Sequence, residues 1–323
     1  MQIIDTATTR RHLGFPPLTA ALQRMFESGC EAPLRHTHRI GEAGTLLLMP
    51  AWRAGARLGI KTVTIFPGNG ARQLPGLHST YLRFDAATGV PLAQLDGNEI
   101  TSRRTAAASA LAASFLARPD ARSLLIVGSG RVAALLAEAM RAVRPITEVT
   151  VWNHRPDSAH KLAAELNAAG VNARACDDLA HAVAHADLVS CATLATAPLI
   201  RGEWLRPGTH LDLIGSFTPQ MREADAACFA RSRVFVDSAE ALLKAGDVLD
   251  AISAGAFDAT RLQGTLAELC QGAPIGRATA AEITLFKSVG SALEDLAAAE
   301  LVFDAVMRES LSCADPTTPT SSP

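Results

Sequence analysis

Residues 123–140 run SLLIVGSGRVAALLAEAM: an apolar stretch, then Gly128, Gly130 and Ala133 in G-x-G-x-x-A order, then apolar residues at helical spacing. Glycines at such a strand–helix junction allow a tight turn and let backbone N–H groups approach a diphosphate, which lies on the positive end of the following helix. Outward from this turn the chain alternates. Helix 131–143 is followed by strand 148–152, helix 157–168, strand 171–176, helix 177–185, and strands 187–192 and 210–215. The alternation predicts an α/β class protein with a Rossmann-type, doubly wound parallel sheet that binds a dinucleotide, spanning residues 119–288.

The second strand ends in VWNHRPDS, so Asn153, His154 and Arg155 occupy the tip where a carboxylate commonly selects NAD(H) through the ribose hydroxyls. A guanidinium there suits a 2′-phosphate, and the expected cofactor is NADP(H), with NAD(H) as the alternative.

Upstream, helix 16–28 aligns Leu18, Leu22, Met25 and Phe26, and strand-like runs follow near 44–49, 58–66, 77–84 and 90–95. An Ala-rich helix then extends to Pro119, its small side chains implying close packing on several sides. Downstream, strand 283–287 leads into a helix over 289–307 whose apolar stripe returns it to the first part of the chain. The expected organisation is a discontinuous α+β substrate and dimerisation domain, 1–118 with 289–312, beside the Rossmann domain and followed by a disordered tail, 313–323.

With 323 residues, 48% of them hydrophobic, and a formal charge of −2, the chain has a sizeable core and no bulk field for nucleic acid or anionic membrane. Six scattered cysteines form no C-x-x-C pair, and no apolar run approaches the ~18 residues needed to cross a bilayer. A cytoplasmic location is expected.

Two side chains carry candidate chemistry. In the strand IKTVTIF, alternation puts Lys61 on the face of Val63 and Ile65, where it either snorkels to water or is desolvated and poised to exchange a proton near neutrality. Arg104 shares a helical stripe with Ile100, Ala107 and Leu111, which places it beneath an anion: a ligand carboxylate or an internal carboxylate. Arg103 points elsewhere and is expected to be a solvated charge. His36 and His38 alternate on a strand without further ligands at zinc-like spacing, so no metal is expected.

The segments APLRHTHR, GTLLLMPAW, IKTVTIFPGN, LDGNEITSRRTAAASALAA, VGSGRVA, IGSFTPQMRE and TLFKSVGSALEDLAA, in this order, resemble the ornithine cyclodeaminase/mu-crystallin family across nearly the whole chain. The resemblance implies a homodimer and an enzyme acting on a small amino or imino acid. It makes Lys61 the acid–base group, Arg35 and Arg104 the clamp on a substrate carboxylate, and Met49 and Val289 substrate-pocket residues. Cofactor contacts are implied for Thr105, Gly128, Gly130, Arg131, Val132, Asn153, His154, Arg155, Thr193, Ile214 and Ser288. Two departures stand out: Phe217 falls where cyclodeaminases proper carry an aspartate, and Gly76 falls where a hydroxyl residue is common. A phenyl ring accepts no proton, so reduction of a small α-imino acid such as pyrroline-2-carboxylate is favoured. Ornithine cyclodeamination, an alanine-dehydrogenase-like reaction and a non-catalytic nucleotide-binding role are the alternatives.

Overall fold

The computed structural model describes residues 1–313. One core cluster joins two sheets, and a second lies on the other face of the second sheet. The first sheet contains β1 (Gln2–Ile4), β2 (His36–Ile40), β3 (Gly44–Arg53), β4 (Arg57–Ile65), β5 (Leu77–Phe84) and β6 (Pro91–Asp96). Strands β2 to β6 form an antiparallel meander, and β1 lies parallel to β6 at the edge. Helices α1 (Thr6–Arg11) and α2 (Phe15–Ser28) precede the meander, and α3 (Gly97–Leu116) follows it.

The second sheet starts at β7 (Ser123–Val127), whose Leu124–Val127 run is buried on both faces, as a strand covered by helices on each side must be. There follow α4 (Ala133–Arg141), β8 (Glu148–Trp152), α5 (Pro156–Ala168), β9 (Ala173–Ala175), α6 (Leu179–His185), β10 (Leu188–Cys191) and β11 (His210–Leu213). Between 216 and 282, where the sequence showed no clear alternation, lie α7 (Ala226–Arg231), β12 (Arg233–Val236), α8 (Ala241–Lys244), α9 (Gly246–Ser253), β13 (Gly264–Thr265) and α10 (Leu266–Cys270). Strand β14 (Thr284–Lys287) then enters between β11 and β12. All eight strands run parallel in the order β13-β12-β14-β11-β10-β7-β8-β9, and the winding reverses between β7 and β10. Ligands in open parallel sheets bind at that reversal, outside the carboxyl ends of the strands.

Helix α3 is the spine between the sheets. Its N-cap Asp96 accepts from Glu99 N at 2.9 Å, and Ala106–Ala113 are buried all round. Alanine leaves room for α2, α4 and the last helix, α11 (Ala292–Cys313), to pack on its sides. Carbonyls of its last turn lack intrahelical donors; Arg144 reaches Ser114 O at 2.7 Å and Ala117 O at 2.9 Å, and Arg277 reaches Leu116 O at 2.6 Å. Helix α11 begins at Ala292, three residues later than the sequence pattern implied, because Gly290 adopts φ 74° and holds the chain out of helical geometry. It also runs on to Cys313, beyond the expected end at 307. The tail expected from 313 lies, apart from Cys313, outside the described residues. Among the described residues no helix is long and apolar enough to cross a membrane.

Candidate active site

Two connected cavities open at the sheet's winding reversal. The first, about 630 Å³, is lined by Gly128, Ser129, Gly130, Asn153, His154, Arg155 and the loop after β10. The second, about 410 Å³, lies between the two sheets and shares Gly130, Ala192, Thr193 and Leu194 with the first. Around it stand Arg35, Met49, Lys61, Arg104, Thr105, Arg131, Val132, Ile214, Ser288 and Val289. The residues singled out from the sequence therefore come together from both sheets, with Gly130 and Thr193 at the junction.

The first cavity fits a dinucleotide. Gly128 has φ 115°, and a β-carbon there would come within 2.5 Å of Ala192 O, so only glycine allows this approach of the turn to β10. A β-carbon on Gly130 would meet nothing within 4 Å, which leaves open space above the turn. Among the described residues the N–H groups of Ser129, Gly130, Arg131 and Val132 donate to no protein acceptor, as an anion-binding turn requires. Asn153 braces the turn by donating to Ser129 Oγ at 2.7 Å and accepting from Arg155 N at 2.9 Å, and His154 and Arg155 remain exposed at the rim.

In the second cavity strand alternation turns Lys61 inward, 1% exposed, with Gly59 and Val63 on the same face. Its Nζ lies 2.8 Å from Asp295 Oδ1 and 2.7 Å from Oδ2. Burial pushes the Lys61 ammonium down to about 8, against the pull of Asp295. Burial works the other way on Asp295, but Lys61 and Arg104 together hold that carboxyl below its ordinary value. Of the two readings open in sequence, the desolvated lysine is the one the fold adopts.

Arg104 meets an internal pair of carboxylates: Nε donates to Asp295 Oδ1 at 2.9 Å and Nη1 to Glu294 Oε2 at 2.7 Å. Gly290 permits this arrangement, since a β-carbon there would come within 2.5 Å of Nη1. Among the described residues Nη2 makes no hydrogen bond. Arg35 ties the two sheets together, its Nε 3.2 Å from Glu240 Oε1 and its Nη2 donating to Val289 O at 3.1 Å and Gly290 O at 2.6 Å. Phe217 stands at the lip of the cavity, 38% exposed.

Arg103 corrects an expectation. It is not a solvated charge: its side chain is 11% exposed, donates to Glu99 Oε1 and Leu13 O, and lies over the Phe15 ring, because α1 and the start of α2 fold back onto α3. His36 and His38 are exposed on β2.

Four buried acids behind the site escaped the sequence reading. Glu294 and Asp295 had a signal, two adjacent acids in the otherwise apolar run SALEDLAAA. Asp237 and Glu223 lie in connecting segments, where an acid is ordinary. Asp237 accepts from Val289 N at 2.7 Å and Gly290 N at 2.6 Å, fixing the wall that Arg35 touches. Glu223 accepts from Thr193 N at 2.7 Å, Thr193 Oγ1 at 2.9 Å and Gly215 N at 2.6 Å, tying together the loops after β10 and β11. Burial pushes Glu223 up to about 7, with Lys287 opposing.

A dinucleotide groove at the winding reversal, ending beside a buried lysine and two arginines, defines the class: a nicotinamide-nucleotide-dependent oxidoreductase. The family model described as "Ornithine cyclodeaminase/mu-crystallin family" matches residues 5–310, and the chain belongs to that family. It is 44% identical to the Delta(1)-pyrroline-2-carboxylate reductase of Paracoccus denitrificans over 274 residues, 84% of this chain and 87% of that one. It is 36% identical to the ketimine reductase mu-crystallin of Rattus norvegicus, over 90% of each chain. The Thermococcus litoralis Delta(1)-pyrroline-2-carboxylate reductase, solved with NADH and L-proline, superimposes with a TM-score of 0.91 at 31% identity, covering 96% of this chain and 98% of that one.

Proposed function

We propose that this protein reduces a small cyclic α-imino acid, of which pyrroline-2-carboxylate is the best candidate, to the corresponding amino acid with NADPH. The observation that carries the reading is Lys61, a buried ammonium at the end of the nucleotide groove and beside Arg104. The nicotinamide, when bound, supplies the hydride for the imine carbon. Lys61 Nζ gives one proton to the imine nitrogen, so a C=N bond becomes CH–NH and the lysine is left neutral. Burial has brought its affinity for that proton close to the working pH, and Asp295 holds the ammonium in one orientation. Nη2 of Arg104 donates to the substrate carboxylate, and Arg35, whose charge Glu240 already matches, completes the clamp from the same wall through Nη1, which has no protein acceptor among the described residues. Met49 and Val289 give the ring an apolar seat.

Phe217 favours reduction over cyclodeamination. At the lip of the cavity it offers no second proton acceptor, and cyclodeamination moves protons repeatedly between two amines. The exposed Arg155 beside Asn153 and His154 supports NADP(H) over NAD(H). Residues 1–118 with 289–312 are assigned to the substrate and dimer domain, and 119–288 to the nucleotide domain. The five described cysteines are free, which supports a reducing, cytoplasmic setting. Steady-state oxidation of NADPH on a panel of cyclic and acyclic imino acids, with ornithine in parallel, tests the reading. Turnover of a cyclic imine without ammonia release from ornithine is the expected result, and efficient ammonia release with every imine inert would refute it.

A further inference from the structure

Around Arg104 the two buried cations Lys61 and Arg104 stand against Asp295 and Glu294, with Asp237 a further buried acid beyond Glu294, so no positive charge is left over. A substrate carboxylate reaching Nη2 of Arg104 brings one more negative charge into a closed space, and an uncompensated charge there is costly. Two positive groups nearby are already engaged, Arg35 by Glu240 and Lys287 by Asp247 at 3.4 Å. Among the four groups at the centre one is poised to relieve the excess. Glu294 is fully buried, its Oε2 holds Nη1 of Arg104, and its Oε1 has no hydrogen-bond partner among the described residues. The ionisable groups facing it are Arg104 from α3, Asp237 from the end of β12, its own neighbour Asp295, and Lys61 of β4 across Asp295. Burial pushes Glu294 up to about 7 against the charge of Arg104, and Asp237 and Asp295 push it the same way.

We propose that Glu294 takes up a proton when a carboxylate binds at Arg104, so that the site receives its substrate as an anion together with a proton and its net charge is unchanged. This inference rests on the reading of Arg104 as the carboxylate site. Glu294 acts here as a positioning residue: once neutral, its grip on Nη1 weakens and the guanidinium is released to hold the substrate. Asp295 keeps its charge between two cations and continues to orient Lys61.

The probe is pyrrole-2-carboxylate, a planar carboxylate whose ring nitrogen is not basic, titrated into the full-length protein at pH 8. Calorimetry in buffers of different ionisation enthalpy should show uptake approaching about one proton per site, and affinity should fall by up to about tenfold per pH unit above neutrality. Infrared difference spectra should gain the carbonyl stretch of a protonated carboxylic acid on binding. Glu294→Gln, nearly isosteric, should lose that band and most of the uptake while still binding the probe. Equal uptake in Glu294→Gln, which would assign the proton to Lys61 or Asp237, or no carboxylic acid band in the wild type, overturns the proposal; the second reading needs no variant. Binding indifferent to Arg104→Met overturns the carboxylate site itself, whereas Arg104-dependent binding without uptake overturns the role of Glu294 alone.

Discussion

At the scale of single residues, the site depends on how far burial moves a proton affinity. Lys61 is brought down to about 8, so it is largely charged at pH 7 and loses its proton as pH rises. A reaction that needs its proton should therefore slow above about pH 8, and kcat/KM for the imine measured from pH 6 to 10 should show that descending limb. Lys61→Met should remove the limb and reduce turnover by about 10²–10⁴-fold, or ~3–5 kcal/mol in the barrier, with nucleotide binding retained by fluorescence titration. Arg155 is the residue to test for cofactor choice: Arg155→Ala should weaken NADPH binding by about tenfold or more and leave NADH binding nearly unchanged. Lys61 and Arg104 were visible in the sequence because a charge on an apolar face breaks a periodic pattern. What each would meet was not, since Asp295 is 234 positions from Lys61 and reaches it only through the return of α11.

At the scale of elements, the strand–turn–helix run from 123 was legible because both its periodicity and its glycines are local. The segment from 216 to 282 was not. Its strands β12 and β13 are four and two residues long and its helices four to eight, too short for a period to stand out. That segment supplies Glu223, whose carboxylate ties the loops after β10 and β11 at the junction of the two cavities. Glu223→Gln keeps the shape but turns one acceptor into a donor facing an N–H. It should raise KM for the nucleotide several-fold more than it lowers kcat, and parallel steady-state titrations of nucleotide and imine would separate the two effects.

At the scale of the whole molecule, α3 and α11 cover one face of the first sheet, and among the described residues no helix packs as a layer on the other. That outer face carries Leu46, Leu48, Trp52, Leu58, Ile60 and Leu82, all partly exposed. An apolar sheet face of this kind matches the homodimer expected from the sequence, and light scattering should give twice the chain mass. Ile60→Lys on that face should shift the protein toward monomer, while Lys61 one residue along stays on the opposite face. The pairing of two sheets also brings the glycine turn of the nucleotide groove and the buried lysine to the walls of one cavity, where a hydride would pass from nucleotide to imine. The most direct measurement uses NADPH deuterated at the transferable position of the nicotinamide, with pyrroline-2-carboxylate as acceptor, and locates the label by mass spectrometry and NMR. One deuterium at the α-carbon of proline is expected for each nucleotide oxidised; proline without label at that carbon, or nucleotide left unoxidised in the presence of the imine, would rule out hydride transfer to the imine.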